Sequence, residues 1–251
     1  MTIESVSMKI ISTVSDSKIA CDFLSREDVI FIDCEGANLG SWDKGDSISL
    51  IQIATLSGRV FLFGFNRFME RDQVIAGGLR TILESEKIVK VFFAFRSDIV
   101  QLAAEGIAVP ASSVRDLQLL DRIVSKSKNL VGLDKVMTKY DIDSFDNGLK
   151  ASVSRYFRSG TDVFATRPLG PELVRYAAAD VENLPRLAKK MLKLNTLEEV
   201  REYLIKGSTE LAQCSMKDVD HARGGPGGLL HKDILIQRRV EKEMRYPRNH
   251  W

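Results

Sequence analysis

Two carboxylates, Asp33 and Glu35, end an apolar run and are the residues of this sequence best placed to do chemistry. The run from Val29 to Ile32 is typical of a short buried strand, and residues two apart on a strand point to the same side. The two acids should therefore lie side by side and repel each other unless a cation lies between them. Hard divalent cations such as Mg²⁺ and Mn²⁺ prefer oxygen ligands of this kind. This segment alone is equally compatible with a metal site and with a simple pair of acids at a loop edge.

Composition places the chain among ordinary globular proteins. Its 251 residues are 44% hydrophobic and 28% charged, and the formal net charge is +2. A net charge this small does not by itself indicate a nucleic-acid partner, so any surface that binds nucleic acid must be a local basic patch. The length suits one sizeable core with an extension.

Cysteine usage and hydropathy indicate an intracellular protein without a membrane span. Cys21, Cys34 and Cys214 lack ligand-like spacing, and so sparse a set is typical of a reducing compartment. No apolar run approaches the roughly 18 residues of a membrane helix. The N-terminus resembles neither a signal peptide nor a transit peptide. We therefore expect an intracellular protein of the cytoplasm or the nucleus, and these observations leave an organelle open as well.

Strand-like and helix-like patterns alternate over residues 1–195. Strand patterns cover residues 10–14, 28–36, 47–54, 59–63, 87–93 and 112–116. Helical patterns cover residues 15–24, 72–84 (with Asp72 as a candidate cap), a segment around Asp98 that ends near Gly106, 117–124, 132–140, and 171–184 with a restart at Pro185. A meander followed by alternating strands and helices predicts an α/β domain with a mixed five-to-six-stranded sheet and flanking helices.

Further candidates for chemistry come from the predicted helices. Asp98 lies early in one helix, and Tyr176 and Asp180, four residues apart, share a face of the helix that Pro171 begins. A helix cap and a packing residue are the plainer interpretations of Asp98 and Tyr176. Asp180, on an otherwise Ala-rich and Val-rich helix, needs a partner. Asp116, at a strand end, is better explained as a structural cap than as a ligand.

Two motifs give these residues a family context. They are Asp33-Cys-Glu-Gly36 followed by Leu50-Ile-Gln-Ile-Ala54, and the segment from Arg167 to Val181. Their order and content resemble the DEDD superfamily of 3′–5′ exonucleases, which have the ribonuclease-H-like fold, in the subgroup with a tyrosine in the last motif. The motifs look like the Egalitarian-type branch, near Werner-type and ribonuclease-D-type domains. The resemblance covers roughly residues 28–194.

The resemblance implies a metal-dependent 3′–5′ exonuclease that acts on single-stranded nucleic acid, with RNA favoured. It implies that Asp33, Glu35, Asp180 and, through water, Asp98 hold two Mg²⁺ or Mn²⁺ ions, and that Tyr176 orients the attacking water. Phosphodiester cleavage would release nucleoside monophosphates from a free 3′ end. One departure concerns the strand before Asp98, where many relatives carry a polar pair, often His-Asp, and this chain has Phe93-Ala94. The departure removes possible supporting hydrogen bonds but no ligand.

Basic and aromatic residues outside these motifs are candidates for contact with nucleic acid. Phosphate contacts are predicted for four basic residues, although surface Lys and Arg are commonly just solvated: Lys150, Arg155, Arg158 and Arg167. Trp42 and Phe65 could stack on bases, and core packing is the safer interpretation of Phe65.

We expect two parts, an exonuclease domain over residues 1–195 and a helical, basic C-terminal extension over residues 196–251. Within the extension a glycine-rich break at 223–228 precedes a predicted basic helix at 229–246. This helix is either a solvated surface or an arm that orders on RNA or on a protein or ribonucleoprotein partner. The alternative function is a catalytically silent exonuclease fold that serves as an RNA-binding or assembly module in a ribonucleoprotein complex. A homodimeric scaffold is a third possibility.

Overall fold

A six-stranded mixed sheet lies at the centre of the computed structural model, in which residues 8–37, 47–125, 129–142, 153, 162–194, 204–210 and 212–213 are described. The strands are β1 (Met8–Ile11), β2 (Val29–Ala37), β3 (Ser47–Thr55), β4 (Val60–Gly64), β5 (Val89–Phe92) and β6 (Val114–Asp116). Their order across the sheet is β1-β4-β3-β2-β5-β6, with β3 antiparallel to both β2 and β4 and the other pairs parallel. The predicted mixed α/β sheet is confirmed.

Helices cover both faces of this sheet. They are α1 (Val14–Leu24), α2 (Arg71–Ala76), α3 (Leu79–Leu83), α4 (Arg96–Ala104), α5 (Leu117–Ser125), α6 (Leu133–Lys139), α7 (Pro171–Glu182) and α8 (Leu184–Leu194), with short 3₁₀ turns at Ala111–Ser113 and Val163–Ala165. The apolar residues of α1–α4 pack in one core and those of α5–α8 in a second core on the opposite face. We call these the α1–α4 layer and the α5–α8 layer.

Alternation along β2 decides which layer its acids meet. Ile30 and Ile32 point into the α1–α4 layer, whereas Phe31 points into the α5–α8 layer. Because side chains two apart share a face, Asp33 and Glu35 follow Phe31 and lie on the α5–α8 side. The apolar pattern of the strand therefore determines where both carboxylates point.

β2 extends beyond its neighbour β5. β2 pairs with β5 only as far as Phe31, whereas its pairing with β3 continues to Ala37. The part of β2 that carries Asp33 and Glu35 therefore has a strand on one edge only. The first turn of α4 contains Asp98, as predicted, and begins four residues after β5 ends.

One predicted strand and one predicted helix in the N-terminal half differ from the observed elements for reasons that the structure shows. The predicted strand 10–14 ends at Ile11, because Thr13 caps α1 by accepting a hydrogen bond from the backbone of Asp16 at 3.1 Å. The predicted helix 72–84 is two helices, because Gly78 adopts a left-handed φ of +111° that interrupts the helix. Asp72 lies in the first turn of α2 and is not its cap.

Part of the predicted C-terminal extension packs on the domain. Residues 204–210 are helical, Leu204 lies in the α5–α8 core, and the backbone N–H of Asp116 donates to the buried Ser208 hydroxyl at 3.1 Å. The predicted basic helix at 229–246 lies outside the described residues, and the domain boundary at residue 195 stays a prediction. No described helix has both the length and the apolar character needed to cross a membrane.

Gly36 allows a close backbone approach at the end of β2. The register between β2 and β3 shifts between Glu35 and Gly36, and a Cβ at position 36 would lie 1.9 Å from the carbonyl oxygen of Ser47. Since that neighbour is backbone in a paired strand, it cannot move aside without disturbing the ladder. A glycine is therefore required where β2 bulges past its acids.

We predict that Gly36→Ala lowers the free energy of unfolding by about 1–3 kcal/mol, the usual effect of overpacking. Chemical denaturation measures this change. Gly132→Ala is the matched control, because Gly132 has an ordinary φ of −68° and open space around its Cβ position. A Gly36→Ala protein as stable as the control would contradict this account of the bulge.

Candidate active site

Three carboxylates from two elements meet at the carboxyl end of β2. α7 has proline in its first turn and packs across β2, β3 and β4. This packing brings Asp180 to the acids of β2, so that carboxylate oxygens of Asp33, Glu35 and Asp180 all lie within 4.8 Å of one another. The structure thus brings together three of the predicted metal ligands, all partly buried.

The electrostatics of this cluster are unfavourable for ionised acids alone. Burial raises the pKa of Asp33 to about 7. The pKa of Glu35 is raised well above its ordinary value, first by burial and then by the charges of Asp33 and Asp180. Three carboxylates whose oxygens lie this close together match the ligand set that a hard divalent cation prefers. The residues present therefore fit such an ion.

Asp98 approaches the cluster from the other layer. It is buried, with 6% of its surface exposed. The backbone N–H of Cys34 lies within hydrogen-bonding reach of the carboxylates of both Asp33 and Asp98. Burial, followed by the charge of Asp33, raises the pKa of Asp98 well above its ordinary value. Asp98 is outside the group of three carboxylates, so its predicted role as a ligand through water stays a prediction.

Tyr176 lies one helical turn before Asp180 and beside the acids. Burial raises the pKa of its hydroxyl far above the ordinary value, with further contributions from Asp180, Glu35 and Asp33. Its ring lies against that of Phe164, with centroids 6.3 Å apart. The hydroxyl therefore keeps its proton at neutral pH, a state that suits it to donating a hydrogen bond.

Asp116 has a structural role, as predicted. Its carboxylate accepts hydrogen bonds from the backbone N–H groups of Ala94, at 3.0 Å, and Gln118, at 2.8 Å. Ala94 belongs to the Phe93-Ala94 departure and has a left-handed φ of +64°, which is unfavourable for a residue with a Cβ. Asp116 thus holds the strained turn from which α4, and with it Asp98, begins.

Arg167 is not available for the predicted phosphate contact. Its guanidinium donates to both carboxylate oxygens of Glu70 and to the carbonyl oxygens of Phe164, Thr166 and Ser49. These contacts use all five N–H groups of an arginine. We therefore correct this prediction and assign Arg167 a structural role. Sequence analysis missed Glu70, because no local pattern links two residues 97 positions apart.

The remaining candidates divide between the core and the undescribed segments. Phe65 is fully buried in the α1–α4 core, which confirms the packing interpretation. Lys150, Arg155, Arg158 and Trp42 lie outside the described residues. Sequence analysis also missed the hydrogen bond from the Ser49 hydroxyl to Asp162, at 2.6 Å, which attaches the turn before α7 to β3.

Comparison with known proteins gives a family for the sequence and a match for the fold. The sequence model of a 3′–5′ exonuclease family, DNA_pol_A_exo1, matches residues 8–195. No curated protein sequence matches the chain. Trypanosoma brucei RNase D is similar in structure, with 21% identity and a TM-score of 0.68 over 87% of this chain and 74% of that chain.

Two further solved structures that are similar to this chain contain RNA or Mg²⁺. The Trypanosoma brucei RNase D complex with RNA U12 has 21% identity and a TM-score of 0.66, over 87% of this chain and 72% of that chain. Brucella melitensis NrnC with bound Mg²⁺ has 18% identity and a TM-score of 0.60, over 88% of this chain and 96% of that chain. At these identities the likeness shows a shared fold.

We predict that Glu35→Gln stabilises the metal-free protein. The raised pKa of Glu35 means that its ionised form is less stable in the folded chain than in the unfolded chain, so above the unfolded pKa the carboxylate destabilises the fold. In EDTA at pH 7.5 we expect the midpoint of thermal unfolding to rise by about 2–4 °C, equivalent to about 1 kcal/mol. Added Mn²⁺ should stabilise the wild type more than the variant.

Glu182→Gln is the matched control, since Glu182 lies at the exposed end of α7. Its unfolding should change by no more than about 0.5 kcal/mol. A Glu35→Gln protein that is less stable than wild type in EDTA would show that the acids do not repel one another.

Proposed function

The chain belongs to the 3′–5′ exonuclease family, and on this premise we propose that it removes nucleotides from the free 3′ end of single-stranded RNA with two divalent metal ions. The observation that carries the proposal is the cluster of Asp33, Glu35 and Asp180, whose carboxylate oxygens lie within 4.8 Å of one another. The preference for RNA over DNA rests on fold likeness to a ribonuclease whose solved complex contains RNA U12.

We propose that Asp33, Glu35 and Asp180 bind two Mg²⁺ or Mn²⁺ ions and that Asp98 contributes through water. The similar fold of Brucella melitensis NrnC, described with bound Mg²⁺, supports this choice of metal. The ions would lower the pKa of the attacking water and stabilise the attacking and leaving oxygens of the phosphodiester. The carboxylates themselves would bind the ions and fix their positions. They can do so because Asp33 and Glu35 project from a paired strand and Asp180 projects from a helix whose start is fixed.

Tyr176 would position the attacking water in this scheme. Its hydroxyl keeps its proton at neutral pH because burial and three neighbouring acids raise its pKa. It can therefore donate a hydrogen bond to the water and hold the water in line with the phosphorus atom. Restricting the geometry of the reactants in this way lowers the barrier without any proton transfer by the phenol.

Substrate binding beyond the reacting phosphate is assigned to basic residues outside the described part of the chain. Lys150, Arg155 and Arg158 stay predicted phosphate contacts, and Arg167 is excluded from this role by its five internal hydrogen bonds. Binding of RNA or of a ribonucleoprotein partner by residues 196–251 also stays a proposal.

We predict that the purified chain shortens a 5′-labelled single-stranded RNA stepwise from its 3′ end in Mg²⁺ or Mn²⁺, and that EDTA stops the reaction. Asp33→Asn should lower the rate by at least about 100-fold, because one charged ligand of the metal site is lost. Asp72→Asn is the matched control, as Asp72 is 85% exposed on α2, and it should retain the wild-type rate. Tight RNA binding without shortening would favour the assembly module instead.

We predict that Tyr176→Phe lowers kcat by about 10-fold to 100-fold, the usual effect of losing a positioning contact, and leaves KM for RNA nearly unchanged. Tyr140→Phe is the control, since the Tyr140 hydroxyl lies near Asp121 and Ser125 rather than near the metal-site acids. Kinetics from pH 6 to 9 distinguish the roles of the phenol. A rise of the wild-type rate with pH that is lost in Tyr176→Phe would mean that Tyr176 is a base, contrary to its assigned role.

A further inference from the structure

Gln52 is a buried polar residue whose side chain has no hydrogen-bond partner among the residues that the structure describes. It lies in the middle of β3 with 0% of its surface exposed. Within the described part of the chain, neither its amide nitrogen nor its amide oxygen has a hydrogen-bond partner. Buried polar side chains are nearly always hydrogen-bonded, so an amide with both ends unpaired requires an explanation.

The register of the sheet limits the groups that this amide can reach. Gln52 lies opposite Asp33 on β2 and opposite Leu62 on β4, on the α5–α8 side of the sheet. Its other neighbours on that face, along β3 and diagonally across, are Leu50, Ala54, Phe31, Glu35, Val60 and Gly64. Among these described neighbours the hydrogen-bonding side chains are the two acids of β2. Directly opposed residues have Cβ atoms about 4.5–5.5 Å apart, which is within reach of a glutamine amide.

We propose that Gln52 is a positioning residue for the metal centre: its amide N–H donates a hydrogen bond to Asp33 when the Asp33 carboxylate is turned toward a bound divalent cation. The proposal rests on the proposed function, because it requires that metal centre. A neutral amide suits this task better than a lysine or an arginine, because it supports the carboxylate charge without competing with the cation. Partners behind metal ligands orient those ligands in this way.

This assignment predicts opposite effects on stability and on metal binding. Without a cation, the unpaired amide destabilises the folded chain, and an apolar side chain of similar size would not. With a cation, the amide supports the ligand. A purely structural glutamine would stabilise the metal-free fold, and its loss would leave the intrinsic affinity for metal unchanged.

The experiment uses the purified full chain and Gln52→Leu, with Gln52→Met as a second variant of similar volume. We expect both variants to be at least as stable as wild type in EDTA by thermal unfolding. Their affinity for Mn²⁺, measured by isothermal titration calorimetry without RNA, should fall by about 10-fold to 100-fold. Saturating Mn²⁺ should restore most of the exonuclease rate, because the defect is one of metal affinity.

Leu62→Met is the matched control, since Leu62 lies beside Gln52 on the same face and is fully buried. It should leave Mn²⁺ affinity unchanged. Variants of Gln52 that bind Mn²⁺ within twofold of wild type, or that are less stable than wild type in EDTA, would overturn the assignment. A wild-type chain that binds no Mn²⁺ would overturn the proposed function together with it, so the two failures are distinguishable.

Discussion

The repulsion among partly buried acids is the constraint on which this structure depends. Asp33, Glu35 and Asp180 have carboxylate oxygens within 4.8 Å of one another, and burial together with the charges of Asp33 and Asp180 raises the pKa of Glu35 well above its ordinary value. Left to themselves, these side chains would separate and turn to water. They stay together because each is attached to an element that cannot move independently. β2 is paired along its length with β3, and α7 packs across three strands.

The start of α7 is fixed by contacts that have no chemical role of their own. Arg167 joins Glu70, Ser49 and the turn before α7, and Asp162 accepts a hydrogen bond from the Ser49 hydroxyl. Breaking one partner of such a buried pair leaves an uncompensated charge, which is strongly unfavourable. The buried pair of Arg167 and Glu70 therefore helps to hold Asp180 in its position. Arg167, the first residue of the motif that contains Tyr176 and Asp180, therefore has a structural role.

Local patterns were sufficient to predict most of the fold, whereas the resemblance to a nuclease family was needed to join acids from separate segments in one candidate site. The alternation along β2 placed Asp33 and Glu35 on one face, and the helical period placed Tyr176 and Asp180 together. The features that the sequence analysis missed depend on contacts between distant segments or on single glycines. The break at Gly78, the pairing of Arg167 with Glu70 and the unpaired amide of Gln52 leave no periodic signal in the sequence. Such features follow from which segments meet, and that becomes known only with the fold.

The four acids of the proposed site come from both sides of the sheet. Asp98 comes from the α1–α4 layer, Asp180 from the α5–α8 layer, and Asp33 and Glu35 from the strand between them. No proteolytic fragment that lacks one layer could assemble the full set. Loosening of either core, even by a mutation distant from the acids, would also change the spacing between them. A variant that keeps its activity would therefore have both layers folded as in the wild type.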